Sequence, residues 1–133
     1  MRGPDHKQSS LFSYTNIEDR IAVDHPLRRV KVMADMVLHS MSPTFDSLYA
    51  EGGRPSIAPE RLLRALLLQC LFSIRSERAL IEHLDFNMMF RWFVGLSQDE
   101  PVWDHSSFSA NRDRLFKESV MREFFGGVVA IAE

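Results

Sequence analysis

Between Pro59 and Ile74 the chain reads as a helix apolar nearly all round, through Leu62, Leu63, Ala65, Leu66, Leu67, Leu68, Cys70, Leu71, Phe72 and Ile74, with Arg61, Arg64 and Arg75 at the margins. A helix that is apolar nearly all round has no face to offer to water, so it lies at the centre of a core and other elements must cover it. The rest of the chain supplies only helices for that purpose. No stretch sustains the period-two alternation of a half-buried strand, and there is no internal repeat or low-complexity tract. The sequence therefore predicts an all-α fold, a small multi-helix bundle.

Around that centre the chain divides into an N-terminal arm, residues 1–23, and a helical domain, residues 24–133. In the arm Leu11, Phe12, Tyr14, Ile17, Ile21 and Val23 are too irregularly spaced for a defined element, which predicts loose docking. At Asp24-His25-Pro26 an aspartate suits a helix cap and a proline the first turn. The helix that follows runs to about Met41, with Leu27, Val30, Met33, Ala34, Val37, Leu38 and Met41 on one face. Ser42-Pro43 restarts a short helix through Phe45 and Leu48, which Gly52-Gly53 stops. After the central helix, Ser76-Glu77 resembles a cap followed by a first-turn acid and opens another helix with Ala79, Leu80, His83 and Leu84 inward, and an aromatic segment from Phe86 to Val94 ends at Gly95. Asp104 or Ser106 caps a helix with Phe108, Leu115 and Phe116 inward, and a last helix spans about Ser119 to Ala132.

Composition narrows the function classes. The chain has 133 residues, enough for one domain with a real core. Its 45% apolar and 26% charged residues exclude the disordered class. The single cysteine, Cys70, cannot form an internal disulfide; its apolar surroundings predict a core residue and a reducing, cytoplasmic setting. No signal-peptide stretch follows the N-terminus, and Leu66–Phe72 is far short of the roughly 18 apolar residues that cross a bilayer, so no membrane partner is expected. The net charge of −2 offers no electrostatic case for nucleic acid over the whole chain. Locally, Arg112, Arg114, Lys117 and Arg122 outnumber Asp113 and Glu118.

Motifs for catalysis are missing. His6, His25, His39, His83 and His105 are scattered without metal-ligand spacing, and the glycine pairs lack the strand context of phosphate loops. No catalytic residue, metal or cofactor is expected. The aromatic residues Phe86, Phe90, Trp92, Phe93 and Trp103 sit at core-like helical spacing rather than as a stacking platform. One segment, Trp103 to Leu115, gathers groups that suit DNA: serines at a helix N-terminus for phosphate, an asparagine able to pair with adenine, and arginines able to pair with guanine. The candidate DNA-binding residues are Ser106, Ser107, Asn111, Arg112, Arg114 and Lys117. On composition alone, the same residues also read as caps and a solvated charge face, and that reading is favoured.

The run Gly53 to Gln69, then Ser76-Glu77-Arg78, Phe90 to Leu96, Asp104 to Ser109 and Arg112 to Leu115, resembles the N-terminal domain of insertion-sequence transposases of the IS-five group, over roughly residues 15 to 125. The resemblance implies a helical domain with a helix-turn-helix-like element that binds the terminal inverted repeats of the element. It outweighs the composition-based reading. It also implies that strand cleavage belongs to a later RNase H-like domain, in which two aspartates and a glutamate hold divalent metal. This chain is expected to stop before that domain. The alternatives are a protein-interaction module, pairing with another copy or with the missing catalytic domain, and a non-functional truncated transposase.

Overall fold

A computed structural model of the protein describes residues 2–5, 14, 16–49, 57–117 and 119–133, and among them every regular element is helical. In chain order these are α1 (Ile17–Arg20), α2 (Pro26–Ser40), α3 (Ser42–Leu48), α4 (Pro59–Leu71), α5 (Glu77–Phe86), α6 (Met88–Val94), α7 (His105–Lys117) and α8 (Val120–Ala132). The fold is all-α, as the periodicity predicts. The glycine pair Gly52-Gly53, expected to stop α3, lies outside the described residues.

Local chemistry sets the helix ends. Proline opens α2 and α4 in the first turn, where its missing N–H costs nothing. The cap of α2 is the ring of His25, whose Nδ1 accepts from the Leu27 N–H at 3.1 Å, and not Asp24. Ser76 caps α5 through the Ala79 N–H at 3.1 Å, and Asn87 caps α6 through the Phe90 N–H, also at 3.1 Å. Gly95, at φ +99°, ends α6 by bringing its own N–H and that of Leu96 back to the Arg91 carbonyl at 2.9 and 2.8 Å. Such a left-handed angle is open to glycine and strained for a side chain. The central helix stops at Leu71, short of the expected Ile74, because Ser73 turns to φ 52°.

α4 is the most buried helix, with Leu62, Leu63, Ala65, Leu66, Leu67 and Leu68 all in the core. It packs against α5, α6, α7 and α8, while α2 covers α8. α4, α5 and α7 pack against one another pairwise, and α1 lies on α6, so residues 16–23 are joined to the helical body. Arg28 fastens that junction by donating to the carbonyls of Glu18, Ile21 and Ala22 at 2.6 to 2.9 Å. α8 comes so close to α2 at Gly127 that a Cβ there would sit 2.7 Å from Val37 Cγ1.

Five residues expected inside, Cys70, Leu71, Phe72, His83 and Phe116, lie at the surface. Cys70 is exposed at the end of α4, and Phe116 is 70% exposed because it stands one residue, and so about 100° of helix, beyond the buried Leu115. Of the aromatic cluster, Phe90 and Phe93 are buried, Trp92 and Trp103 half-buried, and Phe86 exposed.

Candidate nucleic-acid interface

α7 starts where Asp104 accepts from the Ser107 N–H at 3.1 Å and from the Ser107 hydroxyl at 2.8 Å. These bonds, led by the hydroxyl, hold the Asp104 carboxyl below its ordinary range. Phe108 and Leu115, seven residues apart, bury one side of the helix. The opposite side carries Ser106, Ala110, Asp113 and Lys117, spaced four, three and four residues apart and all exposed. Apart from Lys117 its side chains are small, and with Phe116 this stripe makes up the most exposed part of α7.

Between the buried and exposed sides lie two flanks, each tied to another helix. On one, Glu77 in the first turn of α5 accepts from the Ser109 hydroxyl at 2.8 Å, pairs with the Arg112 guanidinium and lies 3.5 Å from His105 Nε2. Those three partners are four and three residues apart, so a single carboxylate grips two turns of α7. On the other flank the Arg114 guanidinium stands 4.3 Å over the Tyr49 ring and donates to the Leu48 carbonyl at 3.3 Å. Burial is the larger influence on the Tyr49 hydroxyl and raises its pKa, which the Arg114 charge partly offsets.

The six candidate residues are thus divided. Ser106 and Lys117 share the exposed stripe. Ser107 and Asn111 bond within the helix, Asn111 Nδ2 donating to the Ser107 carbonyl at 2.8 Å. Arg112 and Arg114 stand on opposite flanks, since two residues of helix turn the chain by about 200°. Asn111, Arg112 and Arg114 therefore do not project as one set, and each of the two arginines is engaged by another element.

The sequence reading passed over two residues that hold this helix in place. One is Glu77, which the local pattern marks only as a first-turn acid of α5. The other is Arg91, 4% exposed, whose guanidinium donates to the carbonyls of Leu84 at 2.9 Å, Ser97 at 2.5 Å and Glu100. It thereby joins the end of α5 to the loop leading into α7. Its signal was a lone charge inside the run Phe90-Arg91-Trp92-Phe93, which a buried aromatic segment tolerates only when the charge has partners. Arg61 secures the same loop with a bidentate pair to Glu100 at 2.8 and 3.2 Å and a bond to the Gly95 carbonyl at 2.8 Å.

The nearness of Ser109, His105 and Glu77 does not make a hydrolytic triad. In a triad the carboxylate binds the ring nitrogen remote from the hydroxyl, whereas here Glu77 Oε1 meets both the Ser109 hydroxyl and the same Nε2 that faces it. Among the described residues no group of three or more His, Cys, Asp or Glu side chains could hold a metal ion, and no helix is long and apolar enough to cross a membrane.

Searches of the curated proteins and of the solved structures each return no match. The family model described as Transposase domain (DUF772) matches residues 15–114. That match runs from just ahead of α1 into the last turn of α7 and takes in most of the chain, which therefore belongs to the transposase domain family.

Proposed function

We propose that this chain is the DNA-recognition domain of a transposase, binding the terminal inverted repeats of an insertion sequence in a sequence-selective way. In this reading α4, α5 and α7 form a helix-turn-helix-like unit and α7 enters the major groove. The observation that carries it is the outer stripe Ser106, Ala110, Asp113 and Lys117, on a helix that packs against α4, α5 and α8. A recognition helix needs both properties: a face small enough to approach base edges and a support that fixes its register. In the same reading Ser106, in the first turn, and Lys117, in the last, meet phosphates, while Ser107, Asn111, Arg112 and Arg114 present the helix. Strand cleavage falls outside this chain's role, and binding calls for no cofactor.

The test is a gel-shift titration with duplexes carrying the inverted repeats that flank the gene, against scrambled duplexes, at several salt concentrations. Selective retention of the repeats is expected, and Lys117→Ala weakens all sequences alike and lowers the salt slope by about 1. No preference for the repeats even at low salt overturns the reading. A second reading, a self-association module, is favoured by Val32 and Met36, two exposed apolar side chains one turn apart on α2. Light scattering that gives a stable dimer indifferent to DNA would favour it over the first.

A further inference from the structure

We propose that Asp113 is a specificity-determining residue that reads a cytosine in the major groove, with its carboxylate held in position by Arg112 and Glu77. The inference rests on the reading of α7 as a recognition helix.

Asp113 lies in the middle of the exposed stripe, and its side chain is 61% exposed. A carboxylate on a DNA-facing surface is repelled by the phosphates, so a general backbone-binding helix would do better without it. Its surroundings offset part of that cost. Arg112 donates to Asp113 Oδ1 twice, from Nε at 3.2 Å and from Nη2 at 2.8 Å. No described residue donates to Oδ2, which keeps its acceptor capacity. The third guanidinium nitrogen, Nη1, is taken by Glu77, whose side chain is only 11% exposed and is rooted in α5. A chain of contacts thus runs from a nearly buried acid through one planar guanidinium to an acceptor on the outer face. A planar fork gripped on two edges loses little freedom when its partner binds, as a site that discriminates bases requires.

The donor and acceptor pattern of the groove then selects the base. An ionised carboxylate only accepts. Guanine offers N7 and O6, both acceptors, and thymine offers O4, another acceptor; adenine places an acceptor beside its amine. Cytosine presents the N4 amine as a donor with no acceptor beside it. Asp113 therefore favours cytosine and disfavours guanine and thymine.

A randomised duplex library, selected first with the full chain and then with variants, tests this. The unaltered chain is expected to select sites with one fixed cytosine whose replacement weakens binding about five- to fifty-fold. Asp113→Ala loses selection at that position alone and binds unselected duplex more tightly, because a negative charge has gone. Asp113→Asn moves the preference there towards adenine, whose N6 and N7 suit an amide. Glu77→Gln, shown by thermal melting to remain folded, weakens selection at that position most strongly, because it loosens the guanidinium that holds Asp113. If Asp113→Ala selects the same base at every position as the unaltered chain, the inference is overturned while DNA recognition by α7 stands. If the unaltered chain selects no sequence at all, both fall.

Discussion

Glu77 and Ser109 meet at 2.8 Å across α5 and α7, the hydroxyl donating to a carboxylate that also holds the Arg112 guanidinium. The two residues are 32 apart in sequence, and through them the first turn of α5 sets the rotation of α7. Glu77→Ala leaves the Ser109 hydroxyl without this acceptor and Arg112 with Asp113 alone, and is expected to cost about 1 to 3 kcal/mol in urea denaturation. A double-mutant cycle with Arg112→Ala then gives a coupling of about 0.5 to 3 kcal/mol. Additive single effects would show that the contact does not tie the helices together.

Arg91 carries a second expectation. It is surrounded by backbone carbonyls from the end of α5 and from the loop at Ser97 and Glu100. Arg91→Met keeps much of the volume but leaves several carbonyls without a donor, at about 3 kcal/mol or more. Arg91→Lys restores the charge and not the fork that reaches both sides at once, so it recovers little. Full recovery by lysine, measured as the denaturation midpoint, would mean that charge alone matters.

How much of this was legible beforehand follows from what periodicity encodes. The Leu-rich α4, the Ser76 cap and the Gly95 stop depend on residues near in sequence, and apart from the early end of α4 each stands where local chemistry puts it. The two-residue spacing of Arg112 and Arg114 already forbids a shared face, yet composition groups them because both suit DNA. Which flank meets α5 and which meets Tyr49 depends on how the helices are arranged, and no local pattern holds that. Glu77 was hidden for the same reason, since its three partners lie 28 to 35 residues further along. Arg91 was readable from one line of sequence, as a charge that an aromatic core keeps only with partners.

The glycine pair of α8 separates two effects of the same substitution. A Cβ at Gly127 would meet Val37 Cγ1 at 2.7 Å and Cγ2 at 3.3 Å, whereas at Gly126 it would meet nothing within 4 Å. Gly127→Ala is expected to destabilise by about 1 to 3 kcal/mol through overpacking. Gly126→Ala stabilises by about 0.5 to 1 kcal/mol, because alanine restricts the unfolded chain and favours helix. Thermal melts of the two variants should move in opposite directions, and in a Val37→Ala background the Gly127 penalty shrinks. Equal shifts would contradict the close approach of α8 to α2.

Glu100 ties the loop before α7 to acid conditions. Its bidentate hydrogen bonds from Arg61 are the largest cause, followed by the Ser97 N–H at 3.0 Å, and together they lower its pKa from 4.5 to about 2. The carboxylate is therefore more acidic folded than unfolded, so folding is favoured by its ionisation. That contribution is complete above pH 4.5 and is lost as the pH falls towards 2. With 39% of the side chain exposed, salt screens the pair and the effect is modest. Glu100→Gln is expected to lower the urea midpoint at pH 7, with the gap to the unaltered protein closing between pH 4.5 and 2 and narrowing at high salt. A gap that persists unchanged below pH 2 would assign the loss to packing rather than to the ion pair.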